Sequence, residues 1–132
     1  GVEPLARARL WDRIRTQADH GVGVLVTTHY MQEARQCDRL LLMSDGRLVA
    51  QGSERDIVDG TRTLAVHAED WARVFDVLST AGMAVNLAGR DVRVIDPDEE
   101  QLRAVLAQAG LDAAITEVAP TIEERMTMLA RR

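Results

Sequence analysis

The sequence has no lysine among its 132 residues; all 16 of its basic residues are arginine. A phosphate-binding loop of the Gly-x-x-x-x-Gly-Lys-Ser/Thr type needs its lysine on the β- and γ-phosphates, so none lies in this sequence. Schiff-base and lysine-general-base mechanisms fall on the same ground. Aromatic residues make up only 3%, which leaves Ala, Val, Leu and Ile to build any core. Cys37 is the single cysteine; no internal disulfide can form, and a reducing compartment fits. The longest apolar runs, such as Leu40-Leu41-Leu42-Met43, fall far short of a membrane span. Gly1-Val2-Glu3-Pro4 is no signal peptide. Acids outnumber bases, 21 to 16, for a net charge of −5, without a basic stripe or interleaved aromatics, and nucleic acid is not an expected partner.

A hydrophobic fraction of 46% is that of a globular protein. Two modules are expected, joined near Asp59-Gly60-Thr61. Pro4 suits the first turn of a helix, with Glu3 as its cap. Leu10, Trp11, Ile14 and Ala18 recur at helical spacing until Gly21 ends the helix. Val22 to Thr28, β-branched and without polar alternation, reads as a parallel strand covered on both faces, with His29 where it ends. A short helix, 31–36, follows. Leu40 to Ser44 reads as a second buried strand, Asp45-Gly46 as a turn, Arg47 to Gln51 as the returning strand, and Ser53 as the cap of a helix reaching about Val58.

The second half changes rhythm. Thr63 to Ala68 alternates as a strand. Trp71, Val74, Phe75 and Leu78 mark a helix face that Gly82 terminates. Met83 to Leu87 and Val92 to Ile95 flank a turn at Gly89-Arg90. Asp96-Pro97-Asp98-Glu99 reads as a helix start with Asp96 as cap, followed by the apolar face Leu102, Val105, Leu106, Ala109. Ala113 to Val118 supplies a last strand. The order βαββαβ predicts a ferredoxin-like α+β sandwich, helices on one face of a four-stranded antiparallel sheet. Thr121-Ile122-Glu123-Glu124 is a capping box opening a final helix that Ile122, Met126 and Leu129 would dock.

One stretch carries a family signature: Val24-Leu25-Val26-Thr27-Thr28-His29, then Tyr30-Met31-Gln32-Glu33-Ala34, Cys37-Asp38-Arg39, and Met43-Ser44-Asp45-Gly46-Arg47-Leu48-Val49-Ala50-Gln51-Gly52. It closely resembles the switch-loop region of ABC ATPases, above all subunits of the drug-export (ABC-2, daunorubicin-resistance-like) branch. Gly1-Val2-Glu3-Pro4 resembles the D-loop segment of that branch, with Glu3 where the family has Asp, its carboxylate one methylene further out. The resemblance is dense over roughly the first sixty residues. It implies an α/β fragment, residues 1–60, that ends a P-loop-type ABC ATPase domain, followed by an accessory ferredoxin-like domain at 61–132.

The resemblance further implies that His29 is the switch histidine, which bonds the γ-phosphate and helps orient the attacking water. A polar residue at the C-terminal end of a buried parallel strand faces the crevice where such sheets bind ligands. The role is positioning and charge stabilisation rather than covalent chemistry. Mg-ATP, a second ATPase copy across the D-loop and a transmembrane permease are the implied substrate and partners. The implied setting is cytoplasmic, peripheral at the inner face of the cell membrane, and the implied activity is ATP hydrolysis coupled to multidrug export. The phosphate loop, the Q-loop, the Leu-Ser-Gly-Gly-Gln signature and the Walker B acids would precede Gly1. The chain is therefore expected to be part of a longer subunit, inactive and without ATP on its own, and to pair or swap through its uncovered strands.

Other features have plainer readings. His20 suits the dipole at a helix C-terminus, His67 belongs to an alternating strand, and Cys37 is a small buried hydrophobe. The histidines lack metal-ligand spacing and no metal site is expected. Gly21-x-Gly23 precedes a strand and ends a helix rather than cradling phosphate. The acids at 96–100 are a charged first turn. An alternative function is a regulatory or dimerisation module, with the second half sensing a small ligand through an ACT-like architecture.

Overall fold

A computed structural model of the chain describes residues 3–130. It divides into two compact units, Gly1–Tyr30 and Met31–Arg132. The first unit holds α1, Pro4–Asp19, with Pro4 in its first turn. Glu3 occupies the N-cap position, but its side chain makes no capping bond. Gly21 ends the helix at φ +88°, a conformation a Cβ resists, and the Val22 N–H returns to the Gln17 carbonyl at 3.1 Å. Of the expected apolar face only Trp11 is buried; Ile14 is half-buried, and Leu10 and Ala18 are exposed.

The expected parallel strand at 22–28 does not form. The segment is irregular, and Leu25 is 88% exposed. A parallel strand needs neighbours to bond and layers on both faces; among the described residues every strand pairing is antiparallel and lies beyond residue 39.

The second unit opens with α2, Met31–Ala34, and an antiparallel hairpin of β1, Leu40–Ser44, and β2, Arg47–Gly52. Asp45 and Gly46 take φ +51° and +74°, the positive pair a two-residue hairpin turn requires. The hairpin is buried on one side only: Leu40 and Leu42 are covered, whereas Leu41, Met43 and Leu48 are exposed. The expectation of a fully buried strand is thus half met, because the second face has no layer over it. Ser53 caps α3, Glu54–Val58, in a reciprocal box with Asp56. A Cβ on Gly52 would stand 2.8 Å from that of Asp56, so the tight approach needs glycine.

The remaining elements follow the expected βαββαβ order: β3 Thr63–His67, α4 Trp71–Thr80, β4 Val85–Ala88, β5 Asp91–Ile95, α5 Glu99–Gln108, β6 Ala114–Val118. The strands form one sheet in the order β4-β5-β3-β6, antiparallel throughout. Alternation puts Leu64, Val66, Val92 and Val94 on one face, where Val74 and Leu78 of α4 and Leu102 and Leu106 of α5 complete the core. Asp98, not Asp96, caps α5, accepting from the Gln101 N–H at 3.2 Å. Asp96 sits at φ +47° instead, outside the extended backbone that a capping residue takes.

Thr63 and Ala65 are buried although they point to the other face of the sheet. What meets that face is α6, Ile122–Ala130, which brings Glu124 to Arg93. The side chain of Glu124 is only 1% exposed. Its Oε2 accepts from Arg93 Nε at 2.8 Å and Asn86 Nδ2 at 3.3 Å. Its Oε1 accepts from Arg93 Nη2 at 2.9 Å, the Thr121 N–H at 3.0 Å and Thr63 Oγ1 at 3.4 Å. Burial raises the carboxyl pKa, but the Arg93, Thr121 and Asn86 hydrogen bonds outweigh it and hold the group below its ordinary 4.5.

Leaving Arg93 without its partner should be costly, because a desolvated charge then stands alone. Arg93 keeps partial access to water, so Glu124→Ala is expected at the lower end for buried pairs, about 3 kcal/mol, read by urea unfolding. A carboxylate depressed in the folded state gives stability that is full above its unfolded pKa and lost as pH falls through the folded one. Stability should therefore decline as pH drops below 4.5, and Glu124→Gln should show a flatter acid-side decline than the parent chain.

Candidate functional site

His29 lies in the loop between α1 and α2, within the first unit. Thr28 sets the turn around it, its Oγ1 accepting from the Tyr30 N–H at 3.0 Å. The His29 ring rests against that of Tyr30, centroids 4.1 Å apart and tilted by 36°. On Tyr30 the Arg7 guanidinium of α1 stands 5.2 Å from the ring centroid, a cation–π distance. The imidazole is thus held by a neighbouring ring while it remains exposed to solvent. Such a group can donate to, or accept from, a ligand brought against it.

Glu3, the other site residue read from the sequence, is exposed, and its carbonyl accepts the Arg7 N–H at 2.9 Å. Gly1 and Val2, which complete the D-loop-like string, lie outside the described residues. The chain segment after His29 is fixed in the second unit. Ala34 of α2 packs with Leu40, Leu42, Ile57 and Ile122, with Met31, Cys37 and Met126 against them. Arg35 donates through Nη2 to both carboxylate oxygens of Glu123, at 2.9 and 3.1 Å, and lies 3.5 Å from Glu54. Neither Arg35 nor Glu123 stands out in the sequence. An arginine just beyond a short helix and an acid in a first turn are common surface residues, and only the fold pairs them across 88 positions.

The other histidines have structural partners. His20 Nδ1 donates to the Thr16 carbonyl at 2.7 Å. His67 Nδ1 meets Asp91 at 2.7 Å and its Nε2 meets Thr116 at 2.8 Å. These three are cross-strand neighbours on an exposed part of the sheet, and both ring nitrogens are engaged by side chains. Cys37 is half-buried against the second hydrophobic cluster. Among the described residues no group of three His, Cys, Asp or Glu side chains can hold a metal ion, and no helix is long and apolar enough to cross a membrane.

No protein-family model matches the chain. Three relatives of 30–34% identity nevertheless share one description. The Nod factor export ATP-binding protein I of Burkholderia lata is 34% identical over 110 residues, covering 80% of this chain and 36% of that protein. The protein of the same name from Rhizobium etli is 31% identical across 100% of this chain and 43% of its own length. That of Mesorhizobium japonicum is 30% identical over 84% of this chain and 34% of its own length. The class these relatives define is that of transporter ATP-binding subunits. The chain corresponds to the C-terminal part of an ABC transporter ATPase subunit, and spans about two fifths or less of the relatives it matches.

Among the described contacts the exposed His29 ring meets that of Tyr30 alone, so its removal should hardly alter folding. His29→Ala is expected to change unfolding free energy by no more than about 0.5 kcal/mol, measured by urea titration. A larger loss would mean that the ring holds the loop rather than serving a ligand.

Proposed function

We propose that this chain is part of the ATP-hydrolysing subunit of an ABC exporter, the kind of subunit that powers a membrane permease, and that His29 is its switch histidine. The single observation behind this is the exposed imidazole, backed by the Tyr30 ring and the Thr28–Tyr30 turn. An imidazole there can sense the γ-phosphate of ATP and steady the attacking water without covalent chemistry. Glu3 would serve the contact with a second ATPase copy, and the permease would be the other partner, at the inner face of the membrane. Multidrug compounds are the cargo that the drug-export resemblance favours.

In this reading residues 1–60 end the ATPase domain, and 61–132 form a ferredoxin-like accessory domain, supported by the β4-β5-β3-β6 order with two helices on one face. Nothing in the described residues offers a magnesium site, and the phosphate loop must come from elsewhere in the subunit. A second reading, ligand sensing by the βαββαβ sheet, has one observation in its favour. A shallow cleft of about 310 Å³ lies where Met83, Asp96, Asp98, Gln101 and Met128 converge.

The test is made on the longer subunit. Its reading frame upstream of Gly1 should encode a phosphate loop and a signature motif. There His29→Ala should retain ATP binding and lose hydrolysis by on the order of a hundredfold, the usual cost of one transition-state contact. A frame without a phosphate loop, or an unchanged rate, sinks the proposal. Light scattering of the chain at micromolar concentration should show a dimer through its uncovered apolar segments, and a clean monomer would count against pairing.

A further inference from the structure

On the face of the sheet opposite α4 and α5, three side chains from three strands stand in line. His67 ends β3, Asp91 opens β5 and Thr116 is central in β6. His67 Nδ1 lies 2.7 Å from Asp91 Oδ1, and its Nε2 lies 2.8 Å from Thr116 Oγ1. Ala114 stands opposite His67 across the β3–β6 pair, and so small a neighbour lets the ring lean along the strand to Thr116. A carboxylate can only accept, so Nδ1 carries the proton and Nε2 of the neutral ring accepts from the Thr116 hydroxyl. Arg93, two residues on in β5, is committed to Glu124 and leaves the Asp91 carboxylate to the imidazole. Hydroxyl, imidazole and carboxylate thus stand in the order that activates a nucleophile, whatever the fold that carries them. All three can be reached from solvent, His67 being 39% and Asp91 45% exposed, and they lie wholly within the second unit.

We infer that Thr116 is an activated nucleophile, with His67 as its general base and Asp91 orienting that base, and that it takes an acyl group from small activated donors. Its Oγ attacks the donor's carbonyl carbon as the hydroxyl proton passes to His67 Nε2. The bond to the leaving group breaks, an anion such as an aryl oxide or phosphate departs, and an ester remains on Thr116. The imidazolium, steadied by Asp91, returns its proton to solvent, and nothing is oxidised or reduced. The trio stands on an exposed sheet surface, where remote binding contacts are few, so the donor must carry its own good leaving group. Aryl esters and acyl phosphates qualify. Chemistry of this kind is separate from any use of ATP through His29.

The lysine-free sequence suits the test, because no ε-amine competes for the acyl group. The whole chain is exposed to p-nitrophenyl acetate; acetylated residues are mapped by peptide mass spectrometry, and p-nitrophenolate release is followed by absorbance. Thr16 and Thr127 are exposed threonines whose hydroxyls donate to helix carbonyls, and they give the unassisted rate. Thr116 should acetylate about a hundredfold faster than either, the lower end for a general base. His67→Gln should bring Thr116 down to that reference rate. Asp91→Asn should lower it by a smaller factor, as water partly orients the ring. Thr116→Ser, which keeps the hydroxyl, should still be labelled rapidly, and Thr116→Val should lose the fast release of p-nitrophenolate. Equal labelling of Thr116 and the reference threonines overturns the assignment, as does fast labelling that survives His67→Gln. Unchanged release in Thr116→Val overturns it too, since the imidazole itself would then be the nucleophile.

Discussion

The second unit depends on one buried carboxylate. Glu124 is the last member of a capping box, and in most helices that residue would be a solvated cap. Here it lies over the face of the sheet opposite α4 and α5, and five hydrogen bonds satisfy it. A desolvated carboxylate is tolerable only with a partner of fixed geometry, and the Arg93 fork supplies one through Nε and Nη2. Because Thr63, Asn86, Arg93 and Thr121 all converge on one group, α6 cannot slide or rotate without stranding several polar atoms at once. Directional bonds thus fix the register of the helix, and the flanking apolar residues add area without specifying position.

That constraint explains why the second unit holds together from α2 to α6. The main core, between the sheet and the pair α4/α5, would close without residues 31–58. The smaller core around Leu40, Leu42 and Ile57 would not, since its fully buried centre includes Ile122 from α6. The hairpin and the short helices are too small to bury a face alone. They share α6 with the sheet, and the polar bonds of Glu124 fix the helix on which that sharing depends.

Much of this was legible in the residues. Asp45-Gly46, Ser53-x-x-Asp56 and Thr121-x-x-Glu124 named their turns and caps because turn and capping chemistry is local. The βαββαβ order followed from apolar periods and the glycines between them. Three things were not legible, each for want of a non-local fact. The strand expected at 22–28 depends on neighbours that no local pattern supplies. Asp98 displaced Asp96 as the cap because Asp96 takes a left-handed backbone at φ +47° whereas Asp98 is extended, as a capping residue must be. The pairing of Arg35 with Glu123 spans 88 positions, and a half-exposed pair leaves no periodic trace in the sequence.

The site divides the same way. His29 stood out in the sequence because the string around it, Thr27-Thr28-His29-Tyr30-Met31, carries the resemblance to the switch loop of ABC ATPases, and its role is a proposal that rests on that resemblance. Its immediate geometry, the Thr28 bond and the Tyr30 ring, is written into those same five residues. What that string does not contain is any means of holding the turn in place. Within the first unit, α1 reaches the loop through Arg7 and Tyr30. In the second unit α2 is only four residues long and cannot be stable alone, so its order comes from the cluster in which Ala34 meets Leu40, Leu42, Ile57 and Ile122.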